Sequence, residues 1–231
     1  MFVTGTGTGV GKTVVAAAIA RTLAGEGKQV AVFKPAVTGL DEGGEPDHTL
    51  LRRAAESAQS DDEIAPYRYG PPMSPHLAAE LAGEKIEPGR LVRAAIDAAS
   101  GADFLVCEGV GGLLVPLSVT GGTRAMTGEM RARASGVHAG ASGAYLVRDL
   151  AVELGLPLVI AAPPGLGTIN HTLLTIEAAC AAGLEVERVV LTPWPEQPSR
   201  VERSNRETLT ALGEVEVATL PRLDPSAQAP P

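Results

Sequence analysis

Gly5-Thr6-Gly7-Thr8-Gly9-Val10-Gly11-Lys12-Thr13 is the stretch that decides the fold. It follows a short apolar run, Met1 to Thr4, and leads into Lys12 to Ala24, a segment with apolar residues all round that reads as a buried helix. A strand before and a helix after are the surroundings a phosphate-binding loop requires. Glycines accept positive φ and turn main-chain N–H groups inward, so a ring of donors can surround phosphate oxygens at the helix N-terminus. In that frame Gly7, Thr8, Gly9, Val10 and Gly11 cradle a nucleotide, Lys12 reaches its β- and γ-phosphates, and Thr13 offers a hydroxyl to Mg2+. The loop is one residue longer than the common pattern, with its first glycine at Gly5 and Thr6 where that glycine usually stands. A glycine-rich turn without ligand is the alternative, and the strand, the helix and the Gly-Lys-Thr ending together weigh against it.

Further apolar runs of strand length follow at Val30 to Phe33, Phe104 to Cys107, Leu158 to Ala162, Val189 to Leu191 and Val215 to Leu220. Between them Asp47 to Ala58, Leu91 to Ala99, Thr168 to Ala182 and Val201 to Leu212 carry helical spacing. That alternation predicts an α/β fold with a mostly parallel sheet covered by helices on both faces, in a single domain over residues 1–223. Two stretches break the rhythm. Ser118 to Gly143 is rich in Gly, Ala and Thr, carries Arg124, Arg131 and Arg133, and reads as a mobile loop longer than compact domains usually hold. It could close over the site and add an anion contact, but a solvated insertion without a role is the favoured reading. Residues 224–231 have too little apolar surface to dock and read as a flexible tail.

With 231 residues the chain can bury one substantial core, and its net charge of −8 weighs against nucleic acid or an anionic membrane as partner. Cys107 and Cys180 lie in apolar runs without metal-ligand spacing, so they read as thiols of a reducing compartment. No run of about 18 apolar residues and no leader pattern appear, which makes the cytoplasm the default location.

A nucleotide loop that uses Mg2+ needs a carboxylate near it. Glu108 ends the run Phe104 to Cys107 and precedes Gly109-Val110-Gly111-Gly112, so it emerges where doubly wound sheets place ligands. A metal role competes there with a carboxylate that merely caps a turn. Asp47 precedes an amphipathic run, and from the residues alone it reads as that helix's N-cap. Lys34 follows the second strand within Lys34-Pro35-Ala36-Val37-Thr38-Gly39; alone it is a solvated lysine, and beside a nucleotide loop it becomes a candidate for holding a transferred phosphoryl group.

Taken in order, Gly5-x5-Gly11-Lys12-Thr13, Lys34-Pro35-x-x-Thr38-Gly39, Ser74-Pro75-His76, Glu108-Gly109-x-Gly111-Gly112 and Gly167-Thr168-Ile169-Asn170-His171 resemble the dethiobiotin synthetases from Phe2 to about Leu223. The resemblance implies a homodimer of P-loop NTPase-like subunits with seven-stranded sheets, and a ligase that joins 7,8-diaminopelargonate and CO2 using ATP and Mg2+. It implies a carbamate on one amine, its phosphorylation to a carbamic-phosphoric anhydride, and ring closure by the second amine. It promotes Asp47 from cap to metal ligand beside Thr13 and Glu108, and sets Lys12 and Lys34 as the catalytic pair. It further implies substrate contacts from Thr38, Gly111 and Gly112, and from Gly167, Thr168 and Asn170 across a dimer interface, with Ser74-Pro75-His76 shaping the substrate wall. Glu108, Gly111, Thr192 and Pro193 join the nucleotide contacts.

The chain departs from that pattern where the family often carries an adenine-reading Asn, because here the run is Val190-Leu191-Thr192-Pro193-Trp194. Thr192 lacks the paired donor and acceptor of an amide, which opens the choice of base. Trp194 either packs beside the base or covers the core. The main rival reading is a partition-type ATPase switch that works through partner proteins; Gly7 stands where such loops carry an extra lysine, which argues against it. A related amide-forming ligase is the other, and no Cys/His amidotransferase set accompanies the loop.

Overall fold

The structure, a computed structural model, describes residues 1–119 and 143–223. The connection expected over Ser118 to Gly143, apart from its ends, and the tail beyond Leu223 lie outside the described residues. Six strands form the main sheet: β1 (Phe2–Gly5), β2 (Val30–Phe33), β3 (Phe104–Glu108), β6 (Leu158–Ala162), β7 (Val186–Trp194) and β8 (Glu216–Pro221). They pair in the order β2-β3-β1-β6-β7-β8, every pair parallel. A separate antiparallel ribbon joins β4 (Pro116–Val119) to β5 (Ala144–Leu146).

Alternate residues of each central strand serve opposite layers. Phe2, Phe33, Cys107, Leu158 and Ile160 pack on one face with Leu91 of α5 (Pro88–Ala99), Leu150 of α6 (Val147–Leu154), Ile176 of α7 (Thr168–Ala181) and Leu209 of α8 (Arg200–Leu212). Val3, Val32, Val106, Val159 and Ala161 pack on the other with Val15 and Ala16 of α1 (Lys12–Gly25), Leu51 of α2 (Asp47–Ala54) and Ile64 of α3 (Asp61–Ile64). Because both faces are covered, the strands read as unbroken apolar runs rather than alternating ones. Among the described residues no helix is long and apolar enough to cross a membrane.

The sheet has six strands, not the seven that the family resemblance implied. The chain does run past the free edge of β2: Lys34 donates its N–H to Ile64, Val37 to Tyr67, and Tyr69 back to Val37. Pro35 and Pro66 each remove a donor from this pairing, and it shrinks to one isolated bridge, Val37 with Arg68. Nearer the middle of that edge Gln59 substitutes for a neighbour, its amide accepting from Val32 N and donating to Val32 O at 2.8 and 3.2 Å. Helix α2 stops at Ala54, four residues before its expected end, where Glu56 takes φ 51°. Three helices escaped the pattern reading, α3, α4 (Pro75–Leu81) and α6.

Candidate functional site

Parallel strands send all their C-terminal ends to one edge, and here three of them end in chemistry. β1 runs into the glycine loop, Lys34 follows β2 directly, and Glu108 is the last residue of β3. Since β3 lies between β1 and β2, Lys34 and Thr13 approach Glu108 from its two sides. Thr13 donates its hydroxyl to Glu108 Oε1 at 2.9 Å, and Lys34 Nζ donates to the same oxygen at 2.7 Å. Asp47, from the first turn of α2, closes the group with Oδ2 at 2.6 Å from Lys34 Nζ.

Neither carboxylate caps a helix. Pro46 is the N-cap of α2 and no side chain caps it, while Asp47 is spent on Lys34. Both Lys34 and Glu108 are buried, so their charges interact through protein rather than water. Burial alone would lower the Lys34 ammonium, but Glu108 and Asp47 outweigh it and hold its pKa above the ordinary value. Burial lifts the Asp47 carboxyl, yet the ammonium of Lys34 and the Thr13 hydroxyl bring it below the usual aspartate range. For Glu108 burial prevails over Lys34, and its pKa is raised.

Lys12, also buried, bends back over the loop and donates Nζ to Gly7 O at 2.8 Å. Burial lowers its pKa, with Glu108 opposing and Lys34 reinforcing the shift. Gly9 and Gly11 take φ 73° and 90°, the left-handed values that the loop's turn requires. Helix α1 starts at Gly11 with no side-chain cap and no acid in its first turn, so its leading N–H groups remain available to an anion.

Gly11 is fixed for a second reason. A Cβ built on it would sit 2.6 Å from Thr192 Cγ2. Gly11→Ala is therefore expected to destabilise the protein by about 2–5 kcal/mol, strain and overlap together. A denaturant midpoint equal to wild type would show that the loop adjusts freely.

These groups open on a cavity of about 620 Å3. Thr8, Gly9, Gly11, Lys12, Thr13, Lys34, Thr38, Asp47, Glu108 and Gly111 of the expected set line it, and so does Ser74 with Pro75. Gly7 and Val10 belong to the loop without lining the cavity, and a Cβ on Gly112 would lie 3.4 Å from Gly5 O behind it. Thr192 and Pro193 stand apart from the lining; Thr192 is buried with its methyl against Gly11. Trp194 packs partly buried on the core. Gly167 and Asn170, at the start of α7, are exposed and outside the cavity, while buried Thr168 shares its hydroxyl with Thr172 at 3.4 Å. His76 faces a second cavity of about 440 Å3 between α4 and β4.

The residues at the convergence of β1, β2 and β3 fit Mg2+. Thr13, Asp47 and Glu108 supply hard oxygen donors, and Glu108 Oε2 is buried without a hydrogen-bond partner among the described residues. Sequence reading missed Glu42, which lines the cavity from the turn Leu40–Glu42, and Asn205, whose amide donates to Pro164 O and Gly165 O at 2.9 and 3.0 Å and so fixes the loop before α7. An acid among glycines and an asparagine on a polar helix carry no signal of such contacts.

Similarity to known proteins follows the same lines. Residues 1–132 and 134–229 match the family described as AAA domain. An ATP-dependent dethiobiotin synthetase BioD of Rhodococcus erythropolis (strain PR4 / NBRC 100887) is 39% identical over 215 residues, 93% of this chain and 84% of that protein. Its namesake in Anaeromyxobacter dehalogenans (strain 2CP-1 / ATCC BAA-258) is 38% identical over 231 residues, 100% of this chain and 89% of the relative. That of Mycobacterium avium (strain 104) is 40% identical over 224 residues, 96% and 86% respectively.

Proposed function

We propose a reaction course from one premise: the chain belongs to the ATP-dependent dethiobiotin synthetase family, the ligases that form dethiobiotin in biotin biosynthesis. Its substrates are 7,8-diaminopelargonate, CO2 and ATP. The observation that carries this reading is the meeting of two buried ammonium groups, Lys12 and Lys34, on a cavity whose described lining contains no cysteine or histidine. Such a lining suits substrates that react with one another while the protein positions them and balances charge.

One amine adds to CO2 and becomes a carbamate. A carbamate oxygen then attacks the γ-phosphorus and expels ADP, leaving a carbamic-phosphoric anhydride. The second amine attacks the anhydride's carbonyl carbon, closes the ring and releases phosphate. Lys12 holds γ-phosphoryl oxygens once it exchanges Gly7 O for them, and Lys34 holds the carbamate against the transferring group. Loop N–H groups from Gly7 to Thr13 cradle the remaining phosphate oxygens. Thr13, Asp47 and Glu108 would hold Mg2+, which when bound offsets the charge of the phosphates. Thr38 and the Gly111-Gly112 backbone flank the diamine. Thr192 and Pro193 border the base, where Thr192 lacks the paired donor and acceptor with which an amide reads adenine.

The exposure of Gly167 and Asn170 outside the cavity supports a homodimer, in which the α7 N-terminus of one subunit receives the substrate carboxylate of its partner's site.

Phosphate release from ATP and bicarbonate should depend on added diamine. Equal release in its absence would replace the ligase reading with that of a nucleotide-driven switch.

A further inference from the structure

The cavity's lining carries one carboxylate that the phosphate chemistry leaves unused. Asp47 and Glu108 both engage Lys34, whereas Glu42 has no hydrogen bond or ion pair to its side chain among the described residues. The two lysines and the two carboxylates they face cancel in charge, so Glu42 leaves the lining with surplus negative charge. On the Glu42 side of the cavity, that surplus attracts a cation.

Its placement is built rather than accidental. The segments 39–41 and 69–71 are zipped together: Gly39 donates its N–H to Pro71 O at 3.1 Å, Leu40 to Tyr69 O at 3.3 Å and Asp41 to Gly70 O at 3.0 Å. Glu42 then donates its own N–H back to Gly39 O at 3.1 Å, closing the single turn. Gly39 takes φ 84°, and a Cβ there would lie 3.2 Å from Glu42 Oε2 and 3.5 Å from Pro72 Cβ. The carboxylate thus folds back over a bare Cα beside Thr38, on the wall that Ser74 completes. Ser74 is the N-cap residue of α4, yet its side chain makes no cap bond.

We propose that Glu42 binds an ammonium group of the diamine, so that one amine is held as a cation on this wall while the other meets CO2, and that the ammonium gives its proton to the Glu42 carboxylate when it becomes the nucleophile that closes the ring. This rests on the ligase reading. An aliphatic amine is protonated near neutral pH, and a carboxylate that shares its cavity with the hydroxyls of Thr38 and Ser74 can recognise it. The same contact makes the site select substrates with two amines over those with one.

Glu42→Gln keeps the shape and removes the charge. Calorimetric titration should find diaminopelargonate bound about 10–100-fold more weakly, with ATP and Mg2+ affinities within about twofold of wild type. Two monoamine analogues, each lacking one of the amines, locate the contact: the variant should bind one of them as wild type does. Unchanged diamine affinity overturns the proposal, as does an equal loss for the diamine and both analogues, or a loss confined to Mg2+. Wild-type protein whose phosphate release ignores the diamine removes the ligase reading itself, and this result is distinct from any behaviour of the variant.

Discussion

Lys12→Ala is expected to lower turnover by about 10²–10³-fold or more, the loss seen when a preorganised charge contact to a transferring group is removed. Stability should move the other way or not at all. Burial holds the Lys12 pKa below its ordinary value, so the folded protein binds this proton less readily than the unfolded chain does. Below the ordinary lysine range the buried ammonium therefore costs stability, and truncation relieves that cost while giving up the bond to Gly7 O. Single-turnover phosphate release beside a denaturant titration checks both halves. Retention of wild-type kcat would remove Lys12 from the chemistry, and collapse of the fold would make it a structural lysine.

For Lys34→Ala the expectation is a double loss. The Lys34 ammonium bridges two carboxylates at 2.6 and 2.7 Å, and deleting it leaves buried Glu108 without a counter-charge. Breaking a buried pair from one side costs about 3–5 kcal/mol, and kcat should fall much further than nucleotide affinity. The pH dependence has a definite sign in protein free of nucleotide and metal. In wild type the raised Lys34 pKa gives a contribution present below the ordinary lysine value and lost as pH rises through the folded one. The lowered Asp47 pKa gives one present above the ordinary aspartate value and lost as pH falls through the folded one. Without Lys34 the Asp47 contribution goes, and the Glu108 pKa, already raised, climbs further. The folded variant then takes up a proton that the unfolded chain does not, so its deficit against wild type should shrink as pH falls from neutral toward the ordinary carboxylate range. A deficit that stays constant over that interval would mean Glu108 has found another partner.

The two lysines differ because of what faces them, and no reading of the chain in isolation could have told them apart. What is written in the sequence is periodicity and local backbone demand. Six apolar runs became six strands because burial on both faces leaves no polar positions to interrupt them. The glycine loop was legible because positive φ at Gly9 and Gly11 has few other solutions. Helix α6 went unread although Val147, Leu150, Ala151 and Leu154 keep helical spacing. Helix α4 is seven residues long, and beyond its Ser74-Pro75 start it has only two turns of pattern, Leu77, Ala78, Ala79 and Leu81, to declare itself. The seventh strand failed through two prolines whose effect depends on being opposite each other. Asp47 looked like a cap because the sequence does not say that Lys34, thirteen residues earlier, lies across from it. Glu42 was invisible for the same reason, its meaning set by a fold-back over Gly39.

The strand order has a consequence for how the molecule comes into being. β1 and β2 are consecutive along the chain but never touch; β3 inserts between them after some seventy further residues. On the ribosome, the glycine loop and Lys34 emerge early, on two strands that lack the one between them, and Asp47 follows thirteen residues later as a first counter-charge. Only when β3 enters between them does the lysine gain its buried partner, Glu108. The gathering of Thr13, Lys34 and Glu108 and the joining of β1 to β2 through β3 are thus one event.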